Sequence, residues 1–171
     1  MRAGFKVTPS LHTKINKLAK AVGCPLNWRR KPGIQWNGKD SACKGEDASN
    51  IIHDIAHYAL ATDQERACPD FGLGPSPSSN SDEDIKAIYR DSKCDKIERQ
   101  ASALGIYWEQ RMGLPWMKTA EYHSWTSRYG RNNDDLRELK DVWRDMKAII
   151  DKYDRVMIWP KKKGLSNEER S

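Results

Sequence analysis

The chain is short of several things, and each shortage excludes something. No apolar run approaches the ~20 residues that a membrane-spanning helix needs. The opening "MRAGFKVTPSL" lacks the apolar stretch of a secretory signal. The four cysteines, Cys24, Cys43, Cys68 and Cys94, include no CxxC pair, which argues against a zinc ribbon and against thioredoxin-like redox work. No acidic residue precedes Asp40, although Arg2, Lys6, Lys14, Lys17, Lys20, Arg29, Arg30, Lys31 and Lys39 all lie before it. There is no internal repeat, no heptad of useful length and little β signal. These shortages describe a soluble, cytoplasmic protein with no membrane association, whose thiols are reduced and mostly buried.

What is present is charge and tryptophan. Charged residues make up 32% of the 171 positions and hydrophobic residues only 37%. Seven tryptophans offset the low apolar content, because each can bury a large apolar surface. The net charge of +6 is concentrated in the N-terminal segment and in Lys161-Lys162-Lys163. That asymmetry favours an acidic macromolecular partner, protein or nucleic acid, although no nucleic-acid recognition motif accompanies it. Trp28, beside Arg29-Arg30-Lys31, and Trp159, before Pro160 and the lysine triplet, are the tryptophans best placed for such contact.

Periodicity makes the fold mainly α. The length suits one compact domain over residues 1–160, with a basic, polar tail at 161–171, about five helices, long loops and at most a small β element. "SLHTKINKLAKAV" puts Leu11, Ile15, Leu18 and Val22 on one stripe, and Gly23 and Pro25 end that helix. Residues 27–45 read as loops with one short strand near Ile34-Gln35-Trp36. A second helix runs from about Asp47 to Thr62, with Asp47 or Ser49 as N-cap. It is apolar nearly all round, as a buried helix is. The Gly/Pro/Ser segment from Cys68 to Asp84 is too long for an idle connector, and a short helical stretch follows near Ile85–Arg90. A third strong helix covers roughly Asp95 to Met112, with Ile97, Ala101, Leu104 and Trp108 inward. "GLPWMKTAEYHSW" then turns the chain into a last amphipathic helix carrying Leu136, Leu139, Val142, Trp143, Met146 and Ile150.

Chemistry concentrates in "SNIIHDIAHYALA". Helix positions i and i+4 lie on one face, about 6 Å apart between Cβ atoms, so His53 and His57 can grip one metal ion. The best third ligand is Glu98, near the start of the third helix. Ser102 and Gly105 share its side and, being small, let the two helices approach. Two histidines and one carboxylate leave open positions that suit iron oxygen chemistry or, alternatively, zinc hydrolysis.

The run "HDIAHYALATDQERACPDFG" resembles the core of the elongation factor P hydroxylase family. That family has a histidine-glutamate-x-x-histidine helix, then an aromatic, an alanine, an arginine and Asp-Phe-Gly. Here His53, Asp54, His57, Tyr58, Ala61, Arg66 and Asp70-Phe71-Gly72 hold those places without a gap, and Glu98 precedes Ala103-Leu104 as the family's later glutamate precedes an Ala-Leu pair. Small phage proteins look similar in the "DFGLG" and "ASALGIYWE" segments. The resemblance covers the middle third of the chain. It implies iron held by His53, His57 and Glu98, and hydroxylation of a macromolecular substrate, in the family a modified lysine on a translation factor.

The sequence departs from the family at Asp54, where the family has glutamate. Aspartate is one methylene shorter, which would cost a peptidase base much of its rate but should be tolerated by a hydroxylase that draws its oxidising power from iron. Arg66 fits either an anion-holding role or a local ion pair. Asp70 fits a hydrogen-bond acceptor that orients a ligand histidine. The competing readings are an HDxxH zinc metallopeptidase with Asp54 as base, an HD-type phosphohydrolase recruiting His12, and a phage-type accessory protein that binds nucleic acid or a host protein without catalysis.

Overall fold

Thr8 and Gly23 bracket the first helix, α1 (Pro9–Val22). Thr8 Oγ1 accepts the Leu11 N–H at 3.3 Å, and Pro9 sits in the first turn, where its missing N–H costs nothing. Gly23 closes the helix in the left-handed conformation that a C-terminal cap requires, with φ 85°. Leu11, Ile15, Leu18 and Ala19 are buried. The computed structural model describes residues 5–73, 91–122, 136–157 and 159. The short helix expected at 85–90, most of the long Gly/Pro/Ser segment and the 161–171 tail lie outside these residues.

After α1 come β1 (Leu26–Asn27) and β2 (Ser41–Ala42), a parallel pair with Leu26 opposite Ser41 and Asn27 opposite Ala42. The strand expected at Ile34–Trp36 reduces to one antiparallel bridge between Trp36 and Ser41. Arg30 gathers the segment around its guanidinium, which donates to the carbonyls of Ile34, Gln35 and Asp40 at 2.8, 2.9 and 2.7 Å. One guanidinium reaches the carbonyls of two neighbouring residues because the backbone bends there, and of the segment only the Gln35 carbonyl also pairs with β2, accepting the Ala42 N–H at 2.9 Å.

The remaining elements are helical: α2 (Ala48–Leu60), α3 (Asp63–Arg66), a 3-10 turn at Pro69–Gly72, α4 (Asp91–Met112), α5 (Trp116–Tyr122), α6 (Leu136–Asp145) and α7 (Lys147–Val156). The fold is mainly α, as the periodicity predicts, but with seven α-helices among the described residues against about five expected. The additions have local causes. Thr62 and Glu65 form a capping box, each side chain accepting the other's backbone N–H, and this starts α3. Pro115 follows Gly113, at φ 77°, and opens α5. The last expected helix breaks at Met146 (φ −95°, ψ 12°), yet the apolar stripe runs on from Leu139 and Val142 through Met146 to Ile150 and Tyr153.

At the centre, α2 packs along α4, the most extensive helix pairing among the described residues. Ile51, Ile52, Ile55 and Ala56 meet Ala101, Leu104 and Trp108 in one core with α1 and the last two helices. Asp47 stands at the N-cap position of α2 without a side-chain cap bond. The Ala48 N–H goes instead to the Phe5 carbonyl at 2.9 Å, which ties the N-terminal segment to this helix. Lys14 of α1 donates to the Met112 carbonyl at the end of α4. Trp143 of α6 donates its indole N–H to the Ala103 carbonyl at 2.6 Å. All four cysteines are free thiols, three of them buried. No helix among the described residues is long and apolar enough to cross a membrane.

The most deeply buried carboxyl group among the described residues belongs to α4. Glu109 of α4 is 1% exposed, and Thr119 of α5 donates to it at 2.6 Å. Burial pushes its pKa up to about 7, and hydrogen bonds from Thr119 and Ser49 hold it back from rising further. The folded chain therefore keeps a proton that the unfolded chain releases between about pH 4.5 and 7. Stability falls as pH rises through that window, by no more than about 3 kcal/mol. Glu109→Gln keeps an acceptor for Thr119 without the charge, so urea midpoints of the variant from pH 4.5 to 8 should fall less steeply than the parent's, by Glu109's share. Asp54 still titrates in the same window, and the gain over the parent should be largest at pH 8.

Candidate metal centre

His53 and His57 stand one turn apart on α2, and Glu98 reaches them from α4. His53 Nε2 lies 2.9 Å from His57 Nε2. Glu98 spans the pair, with Oε2 3.2 Å from His53 Nε2 and Oε1 3.4 Å from His57 Nε2. This is the one group of three or more metal-ligating side chains found among the described residues, its ligand atoms all within 4.8 Å of one another. The His57 side chain is 4% exposed and that of His53 32%, so the cluster opens to solvent on the His53 side.

The small residues of α4 make the meeting possible. A Cβ built on Gly105 would lie 3.5 Å from His53 Cα and 3.6 Å from His53 N, so the backbone of α2 rests directly against this glycine. Ser102, one turn beyond Glu98, places its hydroxyl 3.3 Å from His53 Nδ1 and so turns the other ring nitrogen toward Glu98. His57 has no such partner: its Nδ1 is buried without a hydrogen bond.

Charge binds the three groups together. Burial alone would raise the Glu98 pKa, but His57 and His53 outweigh it and hold the carboxyl well below the usual carboxylate range. Burial likewise opposes charge on His57, but Glu98, with a further contribution from Asp70, raises that imidazole above its ordinary value. The donor set also fits a cation. Ligand atoms held 2.0–2.2 Å from one centre lie about 3 to 3.5 Å apart, and the separations here are 2.9, 3.2 and 3.4 Å. Two imidazoles and a carboxylate suit zinc or ferrous iron.

The other residues singled out by sequence take different places. Asp54 is turned toward β2, where its Oδ2 accepts the Ser41 hydroxyl at 2.5 Å. It is 7% exposed, and burial pushes its pKa up to about 7 against the pull of Ser41. Arg66 donates from Nε to the Tyr58 carbonyl at 3.0 Å, capping the end of α2. It also pairs with the exposed Asp63 at 3.2 Å and lies 4.4 Å over the Tyr58 ring. The guanidinium thus locks α3 onto α2. Asp70 contributes charge near His57 but leaves its Nδ1 unbonded.

Sequence reasoning did not foresee what lies on the far side of His57. Phe71 stacks on the imidazole with ring centroids 5.3 Å apart and planes 18° from parallel. Trp36 stacks behind Phe71 at 5.0 Å and 9°. Asp70 and Phe71 both have left-handed backbone, φ 48° and 52°, a conformation that costs an L-residue roughly 1–2 kcal/mol. The Trp36 carbonyl accepts the Asp70 N–H at 2.8 Å, and Trp36 Nε1 donates to the Arg66 carbonyl at 3.0 Å. No sequence signal marks a left-handed Phe. Ser102 was legible as a small residue four positions beyond Glu98, but not as a partner of His53.

His12 is exposed, its ring tilted 51° to that of Trp28 with centroids 4.2 Å apart, away from the cluster, which removes support for the phosphohydrolase reading. Trp28 and Trp159 are half-buried, with indole N–H groups bonded to Asn16 and Asp154; His12 lies beside the Trp28 ring and the Arg111 guanidinium 5.6 Å from the Trp159 ring centre. No protein-family model matches the chain, nor does any curated protein or solved structure.

Gly105 provides a direct check on the geometry. At 3.5 Å an alanine Cβ makes ordinary contact, so Gly105→Ala should leave zinc affinity within a few-fold of the parent. Gly105→Val should push the helices apart and weaken zinc about 10-fold or more, as read by competition against a chromogenic chelator.

Proposed function

We infer that the protein is a metal-dependent enzyme built on His53, His57 and Glu98, most like a non-haem iron hydroxylase acting on a macromolecular substrate. The observation that carries this reading is the convergence of two imidazoles and one carboxylate from separate helices, at separations a single cation would accept. Bound there, iron would supply the oxidising power for hydroxylation, with part of its coordination left open by a three-ligand protein set.

The chain's own residues supply the rest. Ser102 orients His53, Glu98 joins the two helices, and Phe71 and Trp36 cover the buried side of His57. The exposed edge of His53 is where a substrate would approach. Asp54 weighs against the zinc peptidase alternative. A peptidase base must reach a water at the metal, whereas this carboxylate is buried and engaged by Ser41. A macromolecular substrate accords with the exposed lysines and arginines of the N-terminal region, Lys6, Lys17, Lys20, Arg29, Lys31 and Lys39, which favour an acidic surface. The family resemblance of the HDIAH–DFG run agrees in direction.

Elemental analysis of protein purified without chelator, and of protein reconstituted with ferrous iron or zinc, tests the reading. One equivalent of metal is expected in the parent and well under a tenth in His57→Ala and Glu98→Ala. Iron with substrate-dependent oxygen uptake would support the hydroxylase. Zinc with peptide cleavage would move the assignment to the hydrolase, and metal retained equally by both variants would end both.

A further inference from the structure

The geometry points to Phe71 as a positioning residue for His57, with the left-handed turn at Asp70–Phe71 serving to lay its ring on the imidazole. This rests on the metal reading of the cluster.

A histidine that binds a metal through one nitrogen is ordinarily oriented by a hydrogen bond at the other. The two histidines here differ in this respect. His53 has the Ser102 hydroxyl at Nδ1, whereas His57 has a buried, unbonded Nδ1. Ring contacts are what fix its plane. Phe71 covers one face nearly parallel, at 5.3 Å and 18°, and His53 meets it edge-on, at 4.6 Å and 80°. A face contact holds the plane of an imidazole while leaving Nε2, which lies in that plane, free to point at Glu98.

The contact is itself built from behind. Trp36 is 2% exposed, lies parallel to Phe71 and meets the Tyr58 ring edge-on at 5.3 Å and 70°. Its loop is fastened to the Arg66–Asp70 segment at three points. These are Trp36 Nε1 on the Arg66 carbonyl, the Asp70 N–H on the Trp36 carbonyl, and Gly38, where a Cβ would come within 2.8 Å of the Ala67 carbonyl oxygen.

The backbone supplies the second line of argument. Filling the core behind His57 needs an apolar side chain, which an unstrained backbone can deliver. Two consecutive non-glycine residues at φ 48° and 52° are held there only by surroundings that over-determine them, and such strain gathers where orientation matters to function. Here the strained pair delivers a ring parallel to the face of the more buried of the two histidines.

The test uses the full chain and cobalt(II) as probe, because its visible spectrum reports coordination geometry. Phe71→Leu keeps most of the bulk but loses the flat face, and Phe71→Tyr keeps the face. Expected are cobalt affinity 10–100-fold weaker and an altered visible spectrum in Phe71→Leu, with Phe71→Tyr close to the parent. Parent-like affinity and spectrum in Phe71→Leu would overturn the proposal, whatever its thermal midpoint. Should the leucine variant not fold, Phe71→Met is read in its place by the same criteria.

If the parent itself takes up no cobalt, the metal reading fails separately. The positioning claim is then decided in the metal-free protein, by the nuclear Overhauser contact between the Hε1 protons of His53 and His57. Its loss in Phe71→Leu would support the claim, and its persistence would overturn it.

Discussion

Close approach of α2 and α4 governs everything else in this protein. Where Gly105 lies under His53, two helix backbones touch without an intervening side chain, and that contact lets a carboxylate as short as Glu98 reach both imidazoles at once. Apolar packing supplies the force. Ile51, Ile52 and Ile55 on one helix, with Ala101, Leu104 and Trp108 on the other, form a core that excludes water and presses the two together. The polar cluster is carried by this packing and does not create it.

Around the cluster, polar groups are allotted with little overlap. Ser41 satisfies Asp54, Ser102 serves His53, Thr119 serves Glu109, and Arg66 closes the end of α2. Buried polar atoms left without a partner are costly, and few remain: among the described residues, only His57 Nδ1, Trp108 Nε1 and Arg111 Nε. One of the three sits on His57, a member of the candidate metal group.

The helical architecture and the meeting of His53, His57 and Glu98 were legible because both follow from spacing. Leu11, Ile15 and Leu18 recur at helical intervals, His53 and His57 are four apart, and small residues follow Glu98 on the same face. What depends on the loops was not legible. Arg30 draws the carbonyls of Ile34, Gln35 and Asp40 around one guanidinium, and nothing in its neighbours announces this. Asp54 reads as part of a catalytic pair in "HDIAH", but a residue next to a ligand on a helix is rotated by about 100° from it and here meets β2. Phe71 looked like one element of a familiar tripeptide. Its importance comes from a backbone conformation that propensity rules assign to glycine.

All three side chains of the candidate group project from helices that close their backbone hydrogen bonds internally and meet through an apolar core. This differs from small domains that an ion folds outright. A cation arriving here would enter a finished cradle. The cradle is a by-product of helix packing, and its shape is set by Gly105 and the apolar residues around it.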